Sequence, residues 1–440
     1  MAMKINTAKR QVMLTRAQKL SGQPQIPGDK SISHRALLFG ALAHGTTEIE
    51  NLLESGDVQS TARCLRAMGV EIVRVGAKTL VMGRGTQGLL PSREPLDCGN
   101  SGTTIRILMG VLAGLRGMEA QLTGDASLVK RPMKRVAEPL RSMGADIELT
   151  SGDLAPVKIV GKQLTGVDYH LKIASAQIKT AIVMAALSAK GTTKISGEIQ
   201  SRDHTERMLK HFGVSLQVSP SALSIEGGQE LKAAPVQVPG DPSTAAFWMG
   251  AACLVPGAHI EMEGISLNPT RTGLIGVLEK MGARISSQVT FDGAEPIGRV
   301  VINGFDGACQ LRGVTLDEEV IPSMIDEIPL LAVLATQAHG RTEVRGAEEL
   351  RVKETDRIEA VAHNLKAMGA KIETRADGFV IEGPQKLNGA LINSFHDHRI
   401  AMAFSIASLV ADGETTIDGA DCVGISYPGF FQTLHELTGE

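Results

Sequence analysis

Gly45-Thr46-Thr47-Glu48-Ile49-Glu50 follows the apolar stretch Ser31 to Ala43, and this pair of features decides the fold because it recurs. The same glycine, polar step and alternating run return as Gly117-Met-Glu-Ala-Gln-Leu, Gly191-Thr-Thr-Lys-Ile-Ser, Gly257-Ala-His-Ile-Glu-Met, Gly340-Arg-Thr-Glu-Val-Arg and Gly413-Glu-Thr-Thr-Ile-Asp. Successive glycines lie 72, 74, 66, 83 and 73 residues apart. A fixed period of this kind marks a repeat architecture. The chain reads as six units.

An apolar stretch precedes each of these glycines: Ser31 to Ala43, Gly102 to Ala113, Ala176 to Ala189, Pro242 to Val255, Glu327 to Ala338 and His398 to Ala411. Each is apolar on nearly all sides, which predicts a buried helix. The glycine after it is expected to close the helix in the left-handed region. A second, amphipathic helix in each unit ends on its own glycine: Gly69, Gly144, Gly213, Gly282, Gly369 and Gly439. Alternating stretches such as Val70-Glu-Ile-Val and Ala370-Lys-Ile-Glu-Thr then predict strands. Each unit is buried helix, strand, amphipathic helix, strands: an α/β protein with a sixfold pseudo-repeat.

Composition narrows the function. A chain of 440 residues exceeds one ordinary core, so two domains or more are expected. Hydrophobic residues at 43% and charged residues at 21% fit a soluble globular protein. A net charge of -3 argues against a nucleic-acid surface, and 3% aromatics against a base-stacking platform. Cys64, Cys98, Cys253, Cys309 and Cys422 form no C-x-x-C pair and are odd in number, so they read as buried, reduced thiols. The run Thr244 to Val255 is too short for a membrane span, which needs roughly 18 residues. Met1 to Arg10 has no apolar run of the signal-peptide kind. The expected location is cytoplasmic.

Polar clusters open five of the six buried helices: Pro27-Gly-Asp-Lys-Ser-Ile-Ser-His-Arg35, Asp97-Cys-Gly-Asn-Ser-Gly-Thr-Thr104, Ser175-Ala-Gln-Ile-Lys179, Asp326-Glu327 and His396-Asp-His-Arg399. Helix N-termini offer unpaired N–H groups and a partial positive charge. Capping by Ser, Thr, Asp or Asn explains any one of them. It does not explain Lys30, Arg35 and Arg399, which stand against the dipole and so imply bound anions. Pro132 suits a first helical position and extends Arg131 before it, giving another cation at a helix start. In Arg351-Val-Lys-Glu-Thr-Asp-Arg357, Lys353/Arg357 and Glu354/Arg357 have the spacing of one helical face. A solvated face with surface ion pairs is the plainer reading of that segment. The triplet His396-Asp397-His398 lacks ligand spacing for a metal.

Taken together, Gly28-Asp-Lys-Ser-Ile-Ser-His-Arg35, Gly99-Asn-Ser-Gly-Thr-Thr104, Arg131-Pro-Met133, Ser175-Ala-Gln177, Val352-Lys-Glu-Thr-Asp-Arg357 and Asp397-His-Arg-Ile-Ala-Met402 resemble the 3-phosphoshikimate 1-carboxyvinyltransferase (EPSP synthase) family. The resemblance spans roughly residues 25 to 430, with the motifs in the family's order. It implies two similar domains of three βαβαββ repeats each, the inside-out α/β barrel type. Crossovers near Pro24 and Asp241 would give domains 25–241 and 1–24 plus 242–440, with substrates bound as the domains close. It also implies transfer of the enolpyruvyl group of phosphoenolpyruvate to the 5-hydroxyl of shikimate 3-phosphate.

Carried over residue by residue, the resemblance assigns Lys30, Ser31, Arg35, Ser175, Gln177, Ser201, Asp326 and Lys353 to shikimate 3-phosphate. It assigns Lys30, Gly102, Arg131, Gln177, Arg357 and Arg399 to phosphoenolpyruvate. Asp326 is the expected base at the 5-hydroxyl and Glu354 the proton shuttle at the methylene, with Lys30 sharing proton transfer. No metal or organic cofactor is expected, and a monomer is. Ile425 stands where many members carry a lysine before the C-terminal Pro428. Two rivals remain: the sister transferase acting on UDP-N-acetylglucosamine, which uses a cysteine in the loop matching Gly124 to Pro132, and a non-catalytic ring or clamp.

Overall fold

The protein is described from a computed structural model covering residues 3–6 and 8–439. It divides into two compact units. One joins the segment ending at Pro27 to the segment from Gly240 onward; the other is Gly28–Pro239.

Each unit holds three small mixed sheets built to one plan. A short strand pairs in parallel with the strand after the buried helix, and two antiparallel strands complete the sheet. In the unit Gly28–Pro239, Leu96–Asp97 runs parallel to Glu119–Thr123, which pairs antiparallel with Leu154–Val160, and that in turn with Asp146–Thr150. A parallel pair needs a long crossover, and helix Gly102–Ala113 supplies it. Asp168–Leu171 and Thr192–Gly197 repeat the arrangement around helix Ala176–Leu187. In the first sheet, Leu231–Lys232 and Val236–Gln237 return from the far end of the unit to pair in parallel with Ala43–Glu50.

The other unit closes in a comparable way. Its last sheet takes Leu391–Asn393 and Thr415–Asp418 from the chain's end and Gln11–Leu14 and Met3–Asn6 from its beginning. The sixth repeat is thus completed by residues four hundred positions away, which no local pattern reveals.

The two expected helix types are present in all six repeats. Helices Pro242–Leu254, Ile328–Ala335 and His398–Ser408 are buried at every position, as all-round apolar faces require. Helices Gly102–Ala113 and Ala176–Leu187 approach so closely that a Cβ on Gly110 would lie 2.1 Å from Ala181 O. Only glycine fits there.

Five glycines of the second set sit one residue beyond the C-cap, as at Met68–Gly69 and Phe212–Gly213, and Gly439 is itself the C-cap; all six have φ between +75° and +97°. The first set also has positive φ, +63° to +105°, but the expected capping role is corrected. Helix Lys30–Leu42 is closed by Ala43 and helix Pro242–Leu254 by Val255. Gly45 lies further on, within strand Ala43–Glu50, and its counterparts lie at or just before the start of the next strand.

Candidate active site

In the unit Gly28–Pro239 the cations gather at helix starts. Lys30 opens helix Lys30–Leu42, with Asp29 as N-cap accepting from Ile32 N over 2.9 Å. Lys30 Nζ lies 3.3 Å from Asp57 Oδ2, and both side chains are mostly buried. Ser31 occupies the same first turn. Arg35, one turn on, is fixed inside the unit: it donates to Thr205 Oγ1 (2.8 Å), Thr180 Oγ1 (2.9 Å) and Ser31 O (2.9 Å).

Gly102 begins the next buried helix behind Ser101, whose hydroxyl accepts from Thr104 N. Two guanidiniums flank it, since a Cβ there would lie 3.1 Å from Arg106 Nη1 and 3.3 Å from Arg131 Nη1. Arg131 Nη2 donates to Asn100 Oδ1 over 2.6 Å. Arg106 donates to the Gln177 side chain, and Gln177 Nε2 to Thr103 Oγ1 over 3.2 Å. Ser175 caps the helix that carries Gln177. The structure therefore brings Gly102, Arg131 and Gln177 together. It adds Arg106, which sequence reasoning missed although it lies one helical turn from Gly102.

The Arg131 segment needs one correction. Arg131 is extended, φ -83° and ψ 140°, but Met133 is the N-cap and the helix starts at Lys134. Pro132 precedes the helix instead of opening it.

In the other unit the centre is Arg357, 2% exposed. Its Nε donates to Asp397 Oδ2 (2.8 Å), Nη1 to Asp326 Oδ1 (3.0 Å) and Nη2 to Glu354 Oε2 (2.9 Å). Burial works against its charge, yet Asp397, Glu354 and Asp326 outweigh burial and hold it more firmly protonated than usual. The expected helical face of Lys353, Glu354 and Arg357 is not formed. Glu348–Val352 is a 3-10 turn, Lys353 is extended, and the helix begins at Arg357 behind its cap Asp356. Glu354 reaches Arg357 from the loop before the helix. The surface ion pairs belong to Arg351, which meets Asp356 (2.7 Å) and Glu359 (3.4 Å).

Asp326 also sits differently from the expected helix start. It lies in the 3-10 turn Ile325–Glu327, between helices Ile321–Met324 and Ile328–Ala335. Its neighbour Glu327 is buried, and burial together with the Asp326 charge pushes the Glu327 carboxyl up, against the pull of Arg399 and Arg271. Arg399, 3% exposed, stands in the first turn of helix His398–Ser408, where its N–H donates to Asp397 Oδ1. Its Nε and Nη1 are buried without a hydrogen-bond partner among the described residues. Buried donors of this kind cost free energy until an acceptor arrives.

The family model for EPSP synthase (3-phosphoshikimate 1-carboxyvinyltransferase) matches residues 14–434. The chain is 46% identical over 426 residues to the 3-phosphoshikimate 1-carboxyvinyltransferase of Bacillus cytotoxicus, covering 96% of this chain and 99% of that one. The enzyme of that name from Parasynechococcus marenigrum is 49% identical over 425 residues, covering 95% and 96%. The chain belongs to the EPSP synthase family. It is a transferase of the shikimate pathway to aromatic amino acids. Among solved structures, an EPSP synthase from Acinetobacter baumannii superposes with a TM-score of 0.86 at 41% identity, over 97% of this chain and 98% of that one.

Several features of this EPSP synthase family member lie outside the motifs. Ile425 ends the 3-10 segment Ala420–Ile425 and packs against the core. Four cysteines are buried and Cys309 is half-buried, a departure from the expectation for all five. Burial pushes the thiols of Cys253 and Cys422 up, the latter to about 12. Among the described residues no helix is long and apolar enough to cross a membrane, and no three His, Cys, Asp or Glu side chains stand close enough to hold a metal ion. Within His396-Asp397-His398, Asp397 is already engaged by Arg357 and by the Arg399 N–H.

Proposed function

We propose that Asp326, Glu354 and Lys30 carry proton transfer in the enolpyruvyl transfer from phosphoenolpyruvate to the 5-hydroxyl of shikimate 3-phosphate. The observation supporting this most directly is the position of Arg357, whose one guanidinium fixes Asp326 and Glu354 at 3.0 and 2.9 Å. Two carboxylates on one rigid cation can act on neighbouring atoms without moving relative to each other, and such positioning lowers barriers.

In this reading Asp326 removes the 5-hydroxyl proton as that oxygen bonds to the central enol carbon. Glu354 delivers a proton to the methylene, completing a tetrahedral intermediate. Glu354 then takes a proton back from the new methyl group, the bond from carbon to the phosphate oxygen breaks, and phosphate leaves with the double bond restored. Lys30 shares proton transfer and balances charge on both substrates. Ser31, Arg35, Ser175, Gln177, Ser201 and Lys353 serve shikimate 3-phosphate. Gly102, Arg131, Gln177, Arg357 and Arg399 serve phosphoenolpyruvate, whose phosphate and carboxylate suit bidentate arginines. The same reading makes the enzyme cytoplasmic and monomeric, with helix N-termini and guanidiniums supplying the electrostatics without a metal or organic cofactor.

Two variants test the roles. Asp326→Ala is expected to lower kcat by about a hundredfold or more, and near-normal turnover contradicts its role as base. Glu354→Gln is expected to abolish exchange of solvent deuterium into the phosphoenolpyruvate methylene, and unchanged exchange contradicts the shuttle.

A further inference from the structure

Lys179 and Glu206 form a buried ion pair that the proposed reaction does not use. Lys179 lies in the first turn of helix Ala176–Leu187, two residues beyond Gln177, and its side chain is 3% exposed. Its ammonium meets Glu206 Oε1 at 2.6 Å and the carbonyls of Ile199 at 3.2 Å and Ser201 at 3.5 Å. A lysine has three N–H donors, and here they reach three acceptors. Glu206 Oε2 is buried without a hydrogen-bond partner among the described residues.

Stability alone does not call for this arrangement. Buried pairs pay heavily in desolvation, and apolar groups of similar volume usually hold a core as well or better. What the pair achieves that an apolar contact cannot is to pin two carbonyls of one short loop. That loop, Glu198 to Asp203, joins strand Thr192–Gly197 to helix His204–His211 and carries Ser201. The first turn of helix His204–His211 is tied down independently, because Thr205 Oγ1 meets Thr180 Oγ1 at 2.6 Å and accepts from Arg35 Nε at 2.8 Å.

We propose that Lys179 and Glu206 are a positioning pair for shikimate 3-phosphate, holding the Ile199–Ser201 main chain in register with Ser175 and Gln177. This rests on the assignment of Ser175, Gln177 and Ser201 to that substrate.

The test is the double variant Lys179→Met/Glu206→Leu, which removes both charges and leaves neither unpaired. It is expected to fold with a Tm at or above the parent's. Its KM for shikimate 3-phosphate should rise about tenfold or more, as displacement of binding groups commonly causes, while KM for phosphoenolpyruvate at saturating acceptor changes less than threefold. Faster hydrogen exchange at residues 199–202 should accompany the change. Should the double variant fold poorly, Lys179→Met/Glu206→Gln, which also removes the ammonium and leaves no buried charge, is read the same way. A folded variant with both KM values within twofold of the parent, or with equal losses for both substrates, overturns the inference. A parent without turnover of shikimate 3-phosphate overturns the assignment beneath it, and the inference with it.

Discussion

Arg357 Nε donates to Asp397 Oδ2 over 2.8 Å, and this bond joins the first turn of helix Arg357–Ala367 to the N-cap of helix His398–Ser408. The same Asp397 accepts from the Arg399 N–H over 2.8 Å. One aspartate therefore sets both arginines. Arg357 is already surrounded by three carboxylates, whereas Arg399 keeps two buried nitrogens without an acceptor among the described residues.

This asymmetry predicts the outcome of Arg399→Lys. Loss of a charged, bidentate grip costs about 1.5–3 kcal/mol, or roughly ten- to a hundredfold. Steady-state kinetics should show that rise in KM for phosphoenolpyruvate, with KM for shikimate 3-phosphate nearly unchanged. Equal effects on both substrates would contradict the assignment.

Gly102→Ala places a Cβ against the ends of two flexible arginines instead of against backbone. The side chains yield, not the fold. Tm is expected to stay within about 2 °C of the parent's, since flexible side-chain ends can shift without moving the backbone and about 0.5 kcal/mol moves Tm by only a degree or two in a large chain. KM for phosphoenolpyruvate should rise severalfold as Arg106 and Arg131 are displaced. A collapsed Tm would show that the helix start, and not the arginines, had been disturbed.

His34 links stability to pH. It is fully buried, its Nδ1 lies 2.7 Å from Thr61 Oγ1, and burial, then Lys30 and Arg35, hold its pKa well below the ordinary value of 6.5. The unfolded chain binds a proton here before the folded one does, so this component of stability is lost as pH falls below about 6.5. His34→Asn removes the linkage. Thermal melts from pH 7.5 to 5 should show the parent losing Tm faster than the variant, and parallel curves would contradict this.

Glu343 gives the opposite case. Arg345, Arg375 and Arg341 surround its carboxylate and hold it down to about 2, against an ordinary 4.5. A depressed carboxylate contributes stability above its unfolded pKa and loses it as pH falls toward the folded one. Glu343→Gln should lower Tm at pH 7, and the gap from the parent should close between pH 5 and pH 2. A gap independent of pH would assign the effect to packing.

The repeat was legible because two sets of glycines mark it, and all twelve take positive φ. Their roles were only half legible, since sequence cannot tell a glycine that closes a helix from one that turns into a strand. The Lys353–Arg357 segment was misread because i,i+4 spacing imitates a helix. Asp356 followed by Glu359 was the better signal, a cap before a fresh start, and Asp356 does accept from Glu359 N. The N-terminal strands that complete the sixth sheet left no local trace, because their partners lie at the other end of the chain. Asp397 was visible as a capping residue, but its bond to Arg357 spans forty residues and emerges only from the fold. Lys179 carried a clue in its type alone, a charge in a helix otherwise fit for burial, whereas Glu206, in an amphipathic helix among other charges, carried none.

The most direct measurement is phosphate release from phosphoenolpyruvate in chelator-containing buffer, with shikimate 3-phosphate or UDP-N-acetylglucosamine as acceptor. Release with shikimate 3-phosphate alone is the predicted result. Release only with the sugar nucleotide, or with neither acceptor, would contradict the account.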